Sequence, residues 1–242
     1  MANILLLETT TRVCSAGIAR EGSVLAMRED ASSNYSHSEM LTVFVEDVLK
    51  EADLKTADLD AVAVSQGPGS YTGLRIGVSV AKGFCYARDI PLLAVDTMKA
   101  LAVKGFQHLS KLHGLIPPSP LKTLLCPMID ARRMEVYYAL YDMQMNTVRE
   151  TTAEVIGEDS LRQKELEDAR IFYFGDGAEK CREVPFHPNA NYVADVTPGV
   201  QGMAALADEL YKKGELADLA YFEPFYLKNF VAGKPKVKGL FS

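Results

Sequence analysis

The sequence lacks the features that mark exported, membrane-spanning or disulfide-bonded proteins. No apolar run approaches the roughly 18 residues that a membrane helix needs. The first residues have neither the basic flank nor the length of a signal peptide. The four cysteines are scattered and form no C-x-x-C pair, which is typical of reduced thiols. We therefore expect a cytoplasmic protein without a membrane partner.

An excess of positive charge is also missing. The 242 residues carry 26 Lys and Arg against 32 Asp and Glu, which gives a net charge of −6 and a pI near 5.3. No overall positive field would attract nucleic acid, so any RNA contact would be local or supplied by a partner. The hydrophobic content of 48% and the charged content of 24% are those of an ordinary globular chain, long enough for one large or two modest domains.

No arrangement typical of a catalytic or metal site can be picked out. His108, His113 and His187 have no metal-ligand spacing to one another or to a cysteine. His37 stands at a predicted helix start, where a surface or capping role is the more common one. No Ser-His-Asp or Cys-His arrangement with a nucleophile elbow is present. The sequence thus predicts neither catalytic residues nor metal ligands in this chain.

What the sequence does contain is a pattern of strands and helices that occurs twice. The first copy has three strands, a helix with a capping box of Ser36 and Glu39, a strand, a glycine-rich turn, a helix and a strand. The predicted strands cover residues 4–7, 13–19, 23–27, 61–65 and 92–95, and the predicted helices cover residues 39–49 and 74–87.

The second copy follows a proline-rich break and is degenerate. Its predicted strands cover residues 124–129, 135–141, 147–155 and 171–174, and its predicted helical segments cover residues 160–168 and 199–213. In each copy the first strand ends in an acid, Glu8 or Asp130. The pattern predicts a duplicated α/β unit with a cleft between the copies. We divide the chain into domains at residues 1–105 and 106–228, followed by a mobile basic tail at residues 229–242.

The most informative stretch is Ser-Gln-Gly-Pro-Gly-Ser-Tyr-Thr-Gly-Leu-Arg-Ile-Gly at residues 65–77. A glycine-rich turn before a helix can cradle a phosphate on unpaired N–H groups, or it can be a rigid turn that positions the helix. Nucleotide fingerprints fit poorly. Thr72 stands where a P-loop needs its second glycine, and Gly73 comes one residue too late for a Rossmann turn. Both interpretations stay open at this point.

We expect two turns, each beginning with an acidic residue, to line opposite sides of the cleft. Glu8, Thr9 and Thr10 could form a phosphate-contacting hairpin in which Glu8 organises Mg²⁺ or water. They could equally form a threonine-rich turn held by local hydrogen bonds. The sequence Asp-Ala-Arg-Arg-Met-Glu at residues 130–135 could close the other side of the cleft, or it could be a charged hairpin.

The first predicted helix has an unusually broad apolar face. One stripe consists of Met40, Phe44 and Val48, and the next consists of Leu41, Val45 and Leu49. Both stripes cannot easily face one sheet, although packing on the chain's own sheet is the usual explanation for such a face. The width therefore suggests that part of this surface is an interface with a partner.

These residues together resemble the TsaB (YeaZ) family. The resemblance is carried by residues 65–77, the N-terminal Ile-Leu-Leu-Leu-Glu-Thr-Thr-Thr, the His37-Ser38-Glu39 helix start, the Asp130-Ala131-Arg132 turn and the late Pro-x-Tyr-Leu at residues 224–227. It is specific over residues 1–100 and weaker, though collinear, over residues 120–230. It implies a duplicated actin-like (ASKHA, RNase H-like) α/β fold whose second copy is smaller and degenerate.

The resemblance also implies a function. The family belongs to the machinery that places a threonylcarbamoyl group on the adenosine beside the anticodon of tRNAs reading codons that begin with A. In its catalytic relative, TsaD, a His-x-x-x-His metal site follows the equivalent fifth strand, whereas here Thr97 and Leu101 hold those two positions. Neither side chain can replace an imidazole ligand. The resemblance therefore implies a noncatalytic subunit that supports TsaD beside a TsaE-type ATPase, pairs with a second copy when alone and meets tRNA only within the complex.

The resemblance places two kinds of site residue. A docking surface on the helices at residues 39–50 and 74–87 would include Met40, Leu41, Phe44, Val45, Val48, Leu74, Ile76, Val80 and Phe84. No cofactor is required, but weak ATP or ADP binding with Mg²⁺ could involve Glu8, Thr9, Thr10, Gly175 and Gly177. The alternatives are an autonomous ATPase or kinase of the actin-like fold and a metalloprotease, and the missing histidine pair argues against the second.

Overall fold

A computed structural model describes residues 1–31, 37–113, 121–158, 160, 166–184 and 186–228. It contains two five-stranded sheets. The strands of the first sheet are β1 (Asn3–Glu8), β2 (Cys14–Arg20), β3 (Ser23–Asp30), β4 (Ala61–Gly67) and β5 (Leu92–Asp96). The strands of the second sheet are β6 (Lys122–Asp130), β7 (Glu135–Asp142), β8 (Thr147–Val155), β9 (Ala169–Phe174) and β10 (Ala190–Tyr192). The helices are α1 (His37–Glu51), α2 (Tyr71–Arg88), α3 (Thr97–His113) and α4 (Val200–Lys213).

The two sheets have the same topology. The first has the order β3-β2-β1-β4-β5, and the second has the order β8-β7-β6-β9-β10. In each sheet the first three strands of the chain pair antiparallel and the last two add in parallel. The predicted duplicated α/β fold is therefore confirmed, and the second copy is the reduced one, since its last strand has only three residues.

Both faces of the first sheet are covered, which explains the uninterrupted apolar sequence of β1. Successive side chains of a strand point to opposite faces. Leu5 and Leu7 belong to the core beneath α1 and α2, whereas Ile4 and Leu6 belong to the core beneath α4. All four are fully buried. A strand that is buried on both sides needs apolar residues at every position rather than at alternate ones.

Helices α3 and α4 join the two halves. Helix α3, which the sequence analysis did not predict, packs on the second sheet, whereas α4 packs on the first. The two helices touch where a Cβ on Gly202 would lie 2.0 Å from the carbonyl oxygen of Ala100. The predicted domain boundary after residue 105 falls inside α3, and α4 contacts the half of the molecule opposite to the one predicted for it. The reason is that each helix covers the sheet of the other copy.

The chain then returns to the first half as an irregular segment with one turn, residues 217–228, which we call the C-terminal strap. The backbone N–H of Ala217 donates to the carbonyl of Leu92 at 2.8 Å, and that of Phe225 donates to the carbonyl of Gln66 at 2.7 Å. Between them, Leu219 and Phe222 pack against the core beneath α1 and α2. The strap thus lies along the side of α2 and reaches the glycine-rich turn.

Three sequence predictions fall on other parts of the chain. The capping residue Ser36, most of the helical segment at residues 160–168 and the tail at residues 229–242 lie outside the described residues. Among the helices that the structure describes, none is long and apolar enough to span a membrane.

Two helical glycines give a matched test of this packing. A Cβ on Gly105 in α3 would lie 2.2 Å from the Phe174 ring, whereas a Cβ on Gly83 in α2 would have no atom within 4 Å. We expect Gly105→Ala to destabilise the protein by about 1–3 kcal/mol, because the core is overpacked. Gly83→Ala should stabilise it by about 0.5–1 kcal/mol through helix propensity. Urea unfolding of both variants measures the difference, and equal effects would contradict the proposed contact between α3 and β9.

Candidate functional site

The carboxyl group of Glu8, at the end of β1, is the centre of a buried polar cluster. Glu8 is fully buried, and its Oε1 accepts hydrogen bonds from the backbone N–H of Thr10 at 2.7 Å and from the Thr10 hydroxyl at 2.5 Å. Its Oε2 accepts a hydrogen bond from the hydroxyl of Ser65 on β4. The acid therefore ties the end of β1 to the turn that follows it and to the neighbouring strand.

Burial raises the pKa of Glu8, because the charged carboxylate loses its hydration in this position. The hydrogen bonds from Ser65 and Thr10 and the positive charge of Lys104 act in the opposite direction and are smaller in effect. The backbone and hydroxyl of Thr10 donate to one oxygen of this carboxyl group, and the hydroxyl of Ser65 donates to the other. That is the arrangement expected of an internal tie between elements.

The glycine-rich turn packs directly onto the threonine turn. A Cβ on Gly69 would lie 2.5 Å from the carbonyl oxygen of Thr10, and a Cβ on Gly73 would lie 2.0 Å from that of Thr9. The backbone N–H of Ser70 donates to the carbonyl of Thr10 at 2.6 Å, and the Thr9 hydroxyl donates to the carbonyl of Gly73 at 2.8 Å. The glycines are therefore needed because backbone meets backbone here, which favours the rigid-turn interpretation.

The segment after β5 supports this turn as well. Thr97 is fully buried, and its hydroxyl accepts a hydrogen bond from the backbone N–H of Gly67 at 3.0 Å. Leu101, one turn later in α3, is buried in a cluster with Ile129 and Phe174. Position 97 thus holds a hydroxyl that is hydrogen-bonded to the glycine-rich turn, and position 101 holds an apolar side chain packed against the second sheet. In the ranges that the structure covers, no group of three or more His, Cys, Asp or Glu residues is placed to hold a metal ion.

The second half repeats this arrangement, but its acid is exposed. A Cβ on Gly175 would lie 2.1 Å from a carbonyl oxygen of β6, and the backbone N–H of Gly177 donates to the same oxygen at 3.1 Å. Asp130, the counterpart of Glu8, has a side chain that is 45% exposed and forms an ion pair with Lys180. Burial raises the pKa of the nearby Asp176 to about 6. The duplicated strand ends therefore share a backbone geometry and differ in electrostatics.

The five residues predicted to contact a nucleotide are all buried: Glu8, Thr9, Thr10, Gly175 and Gly177. The side chains of Glu8 and Asp130 make their hydrogen bonds and ion pairs within their own halves. The structure thus places the two turns as internal packing elements, and nucleotide binding by them stays a prediction.

The predicted partner interface needs a correction. Five of its nine residues are buried in the core of the first half, namely Leu41, Phe44, Val45, Val48 and Leu74. For the four residues of α1, the interface inferred from two apolar stripes was wrong, because α1 packs on β2 and β3 along one side and on α2 along the other. Leu74 on α2 is buried in its own half as well. A broad apolar face is therefore accounted for without a partner. The other four, Met40, Ile76, Val80 and Phe84, are only partly buried.

An open groove runs along the outer surface of α2 beside the start of α1. It has a volume of about 370 Å³ and is lined by Ser38, Tyr71, Thr72, Arg75, Ile76, Ser79 and Val80. Val43 on α1 is 54% exposed and Tyr86 on α2 is 84% exposed, and the sequence analysis singled out neither. Helical periodicity identifies the apolar stripe on the buried side of a helix. It does not identify apolar residues such as these, which lie outside that stripe.

The duplicated halves, each with a glycine turn packed on the end of its first strand, define a protein of the actin-like (ASKHA) fold. The profile of the family described as "TsaD: tRNA N6-adenosine threonylcarbamoyltransferase" matches residues 29–171, which is more than half of the chain. The Escherichia coli protein named tRNA threonylcarbamoyladenosine biosynthesis protein TsaB is 27% identical over 237 residues, or 96% of each chain. Its Bacillus subtilis namesake is 29% identical over 236 residues, or 93% of each chain.

A solved structure agrees with these matches. YeaZ from Pseudomonas aeruginosa superimposes with a TM-score of 0.76 at 28% identity, covering 94% of this chain and 100% of the other. This chain therefore belongs to the matched family and, within it, to the TsaB (YeaZ) proteins of tRNA threonylcarbamoyladenosine biosynthesis.

The buried carboxyl group of Glu8 gives a pH-dependent prediction. A carboxyl group whose pKa is raised on folding contributes stability below its unfolded pKa, and this stability is lost as the pH rises through its folded pKa. Glu8→Gln has no ionisable group at this position. Its free energy of unfolding should therefore increase relative to that of the parent as the pH rises from 5 to 8, because the parent loses stability above about pH 4.5. Glu8→Ala should cost about 2–4 kcal/mol at pH 5, because it leaves buried donors unpaired, and the cost should become smaller as the pH rises and the parent loses stability.

Glu209→Gln on α4 is the matched control. The pKa of Glu209 is lowered by its hydrogen bond to Lys213, so the stability it contributes is present above the unfolded pKa and is lost only at lower pH. The difference between this variant and the parent should therefore stay nearly constant between pH 5 and pH 8. Urea unfolding at pH 5, 6.5 and 8 checks both slopes. A flat or negative slope for Glu8→Gln would contradict the raised pKa of Glu8.

Proposed function

We propose that this chain is a noncatalytic scaffold subunit of the tRNA threonylcarbamoyladenosine machinery. In this role it binds and supports a TsaD-type threonylcarbamoyltransferase, which forms N6-threonylcarbamoyladenosine next to the anticodon of tRNAs reading codons that start with A. A TsaE-type ATPase completes the complex, and this chain contacts tRNA only as part of that complex. The names of the relatives give the pathway. The assignment of catalysis to the partner and of a scaffold role to this chain is our proposal.

The observation that carries the proposal is the pair Thr97 and Leu101. By the family resemblance, these are the positions of the two metal-binding histidines in the catalytic relative. Here the hydroxyl of Thr97 is engaged by the backbone of Gly67, and Leu101 packs in the second core. A hydroxyl with a structural partner and an aliphatic side chain offer no ligand pair to a transition metal. The chemistry would then reside in the partner.

The docking surface that we propose is the outer face of α1 and α2. Met40, Ile76, Val80 and Phe84 are the partly exposed residues of the predicted interface, and Val43 extends the apolar surface. Such a helical face can receive an amphipathic helix pair from a partner of related fold. The same face would pair two copies of this chain when the TsaD-type protein is absent.

We also propose that the chain needs no cofactor of its own. The carboxyl group of Glu8 has protein donors at both oxygens, and the glycine-rich turn is occupied by the backbone of the threonine turn. Weak ATP or ADP binding with Mg²⁺ at Glu8, Thr9, Thr10, Gly175 and Gly177 would require these elements to separate.

Co-purification with the TsaD-type protein of the same organism tests the proposal directly. We expect a stoichiometric heterodimer by mass measurement, and a chain that is inactive on tRNA by itself. If no complex forms and this chain alone hydrolyses ATP, it is an autonomous enzyme and the scaffold proposal fails.

A single variant tests the docking surface without disturbing the core. Ser79 is exposed and lines the groove on α2, so Ser79→Arg places a long charged side chain there and removes no buried contact. We expect heterodimer affinity to fall by about thirtyfold or more, equivalent to ~2 kcal/mol, because the charge would be buried without a partner. Phe44→Asp would not serve, since Phe44 is buried and the variant would unfold the first half.

Ser23→Arg is the matched control, since Ser23 is an exposed serine at the start of β3. Titration by isothermal calorimetry compares the two variants with the parent, and circular dichroism establishes that both are folded. Equal affinities for Ser79→Arg and Ser23→Arg would place the interface elsewhere.

A further inference from the structure

The hairpin between β6 and β7 has a backbone that its residues do not favour. We call residues 130–135 the arginine hairpin. Arg132 has a φ of 73° and Arg133 a φ of 53°, both in the left-handed region. Glycine and asparagine occupy that region readily, whereas long side chains do so at an energetic cost. Folding alone does not explain two consecutive arginines here, and strain of this kind is concentrated at functional sites.

The charges of the arginine hairpin are unevenly paired. Its two acids are each matched by a lysine from elsewhere, Asp130 by Lys180 and Glu135 by Lys228. Both arginine side chains are exposed, and neither has a hydrogen-bond or ion-pair partner in the part of the chain that the structure describes. The hairpin thus presents two guanidinium groups to solvent with its own carboxylates already neutralised.

Aromatic and basic side chains continue this surface onto the first half. Lys228 lies at the end of the C-terminal strap, and two residues earlier the ring of Tyr226 stacks on Tyr71 with centroids 5.0 Å apart. The guanidinium group of Arg75 lies 5.5 Å from the centre of the Tyr71 ring. Tyr226 is 37% exposed, so its ring is accessible to a ligand. Beyond Lys228 the sequence adds three more lysines and no acid.

We propose that this surface, made of the arginine hairpin and the end of the C-terminal strap, binds the phosphate backbone of the substrate tRNA. Guanidinium groups bind phosphates in a two-pronged geometry, and a partly exposed tyrosine can stack on an unpaired base. Five cations (Arg75, Arg132, Arg133, Lys180 and Lys228) and four carboxylates (Asp130, Glu135, Asp176 and Glu223) lie on this surface, in a chain whose net charge is −6. The positive surface is therefore local, as expected of a contact made together with a partner. The inference rests on the proposed function, which supplies the tRNA.

The test uses the double variant Arg132→Asn with Arg133→Gly in the complex with the TsaD-type protein. Asparagine and glycine adopt a positive φ more readily than arginine, so this variant should unfold at a higher temperature than the parent. It should nevertheless bind an unmodified tRNA transcript about tenfold more weakly at 0.1 M salt, because two charge-assisted contacts are lost. The slope of log affinity against log salt should fall by about two.

Lys212→Ala with Lys213→Ala on α4 is the control, since it removes the same charge from another exposed site. Size-exclusion chromatography first establishes whether the heterodimer forms. If it does not form in the parent, the proposed function fails, and the same titration on this chain alone decides the RNA contact. Unchanged tRNA affinity and salt slope in the hairpin variant would overturn the proposal, as would an equal loss in the control. A hairpin variant that is less stable than the parent would also overturn it, because the arginines would then be structural.

Discussion

The close approach of two backbone turns is the contact on which the first half depends. A side chain on Gly73 would have only 2.0 Å to the carbonyl oxygen of Thr9, so only glycine permits the contact. Gly73 lies in the first turn of helix α2, whose N-cap is Ser70, so the contact fixes the start of this helix. The position of α2 then determines where α1 and the C-terminal strap can pack on either side of it. The surface proposed for docking therefore depends on the glycine-rich turn. In a phosphate-binding protein a turn of this kind would hold the phosphate instead of the backbone of another turn.

The two halves show how one backbone plan can serve different electrostatic purposes. Glu8 and Asp130 stand at equivalent strand ends, but Glu8 is enclosed by donors from Thr10 and Ser65, whereas Asp130 is exposed beside Lys180. Enclosing a carboxyl group costs hydration, and protein donors offset that cost. The first half uses its acid to hold elements together, and the second half leaves its acid at the surface. Duplication of the fold thus left the second copy free to present a charged hairpin.

Much of the fold could be predicted from the sequence, because central strands such as β1 are apolar almost throughout, outer strands such as β8 alternate with turn residues at their ends, and α1 and α2 are strongly periodic. The strand at Thr147–Val155 was placed correctly at both ends, and α2 was predicted only three residues too short at its start. Helix α3 was missed because its apolar residues are divided between the cores of both halves and so form no single stripe. The exposure of α1 was misjudged because periodicity cannot tell a neighbouring helix from a partner. The packing of Gly69 and Gly73 could not be foreseen either, since glycine spacing alone fits several turns.

Thr97 connects the predicted absence of a metal site with the proposed docking face. By the family resemblance it stands where the catalytic relative has a histidine, and its hydroxyl accepts the backbone N–H of Gly67, at the base of the glycine-rich turn. That turn sets the start of α2, and α2 carries half of the proposed docking face. A metal ligand at this position would have to point its side chain at the metal and would leave the Gly67 N–H without this acceptor. Within the proposed function, the residue that replaced the ligand stabilises the element through which the chain meets its catalytic partner.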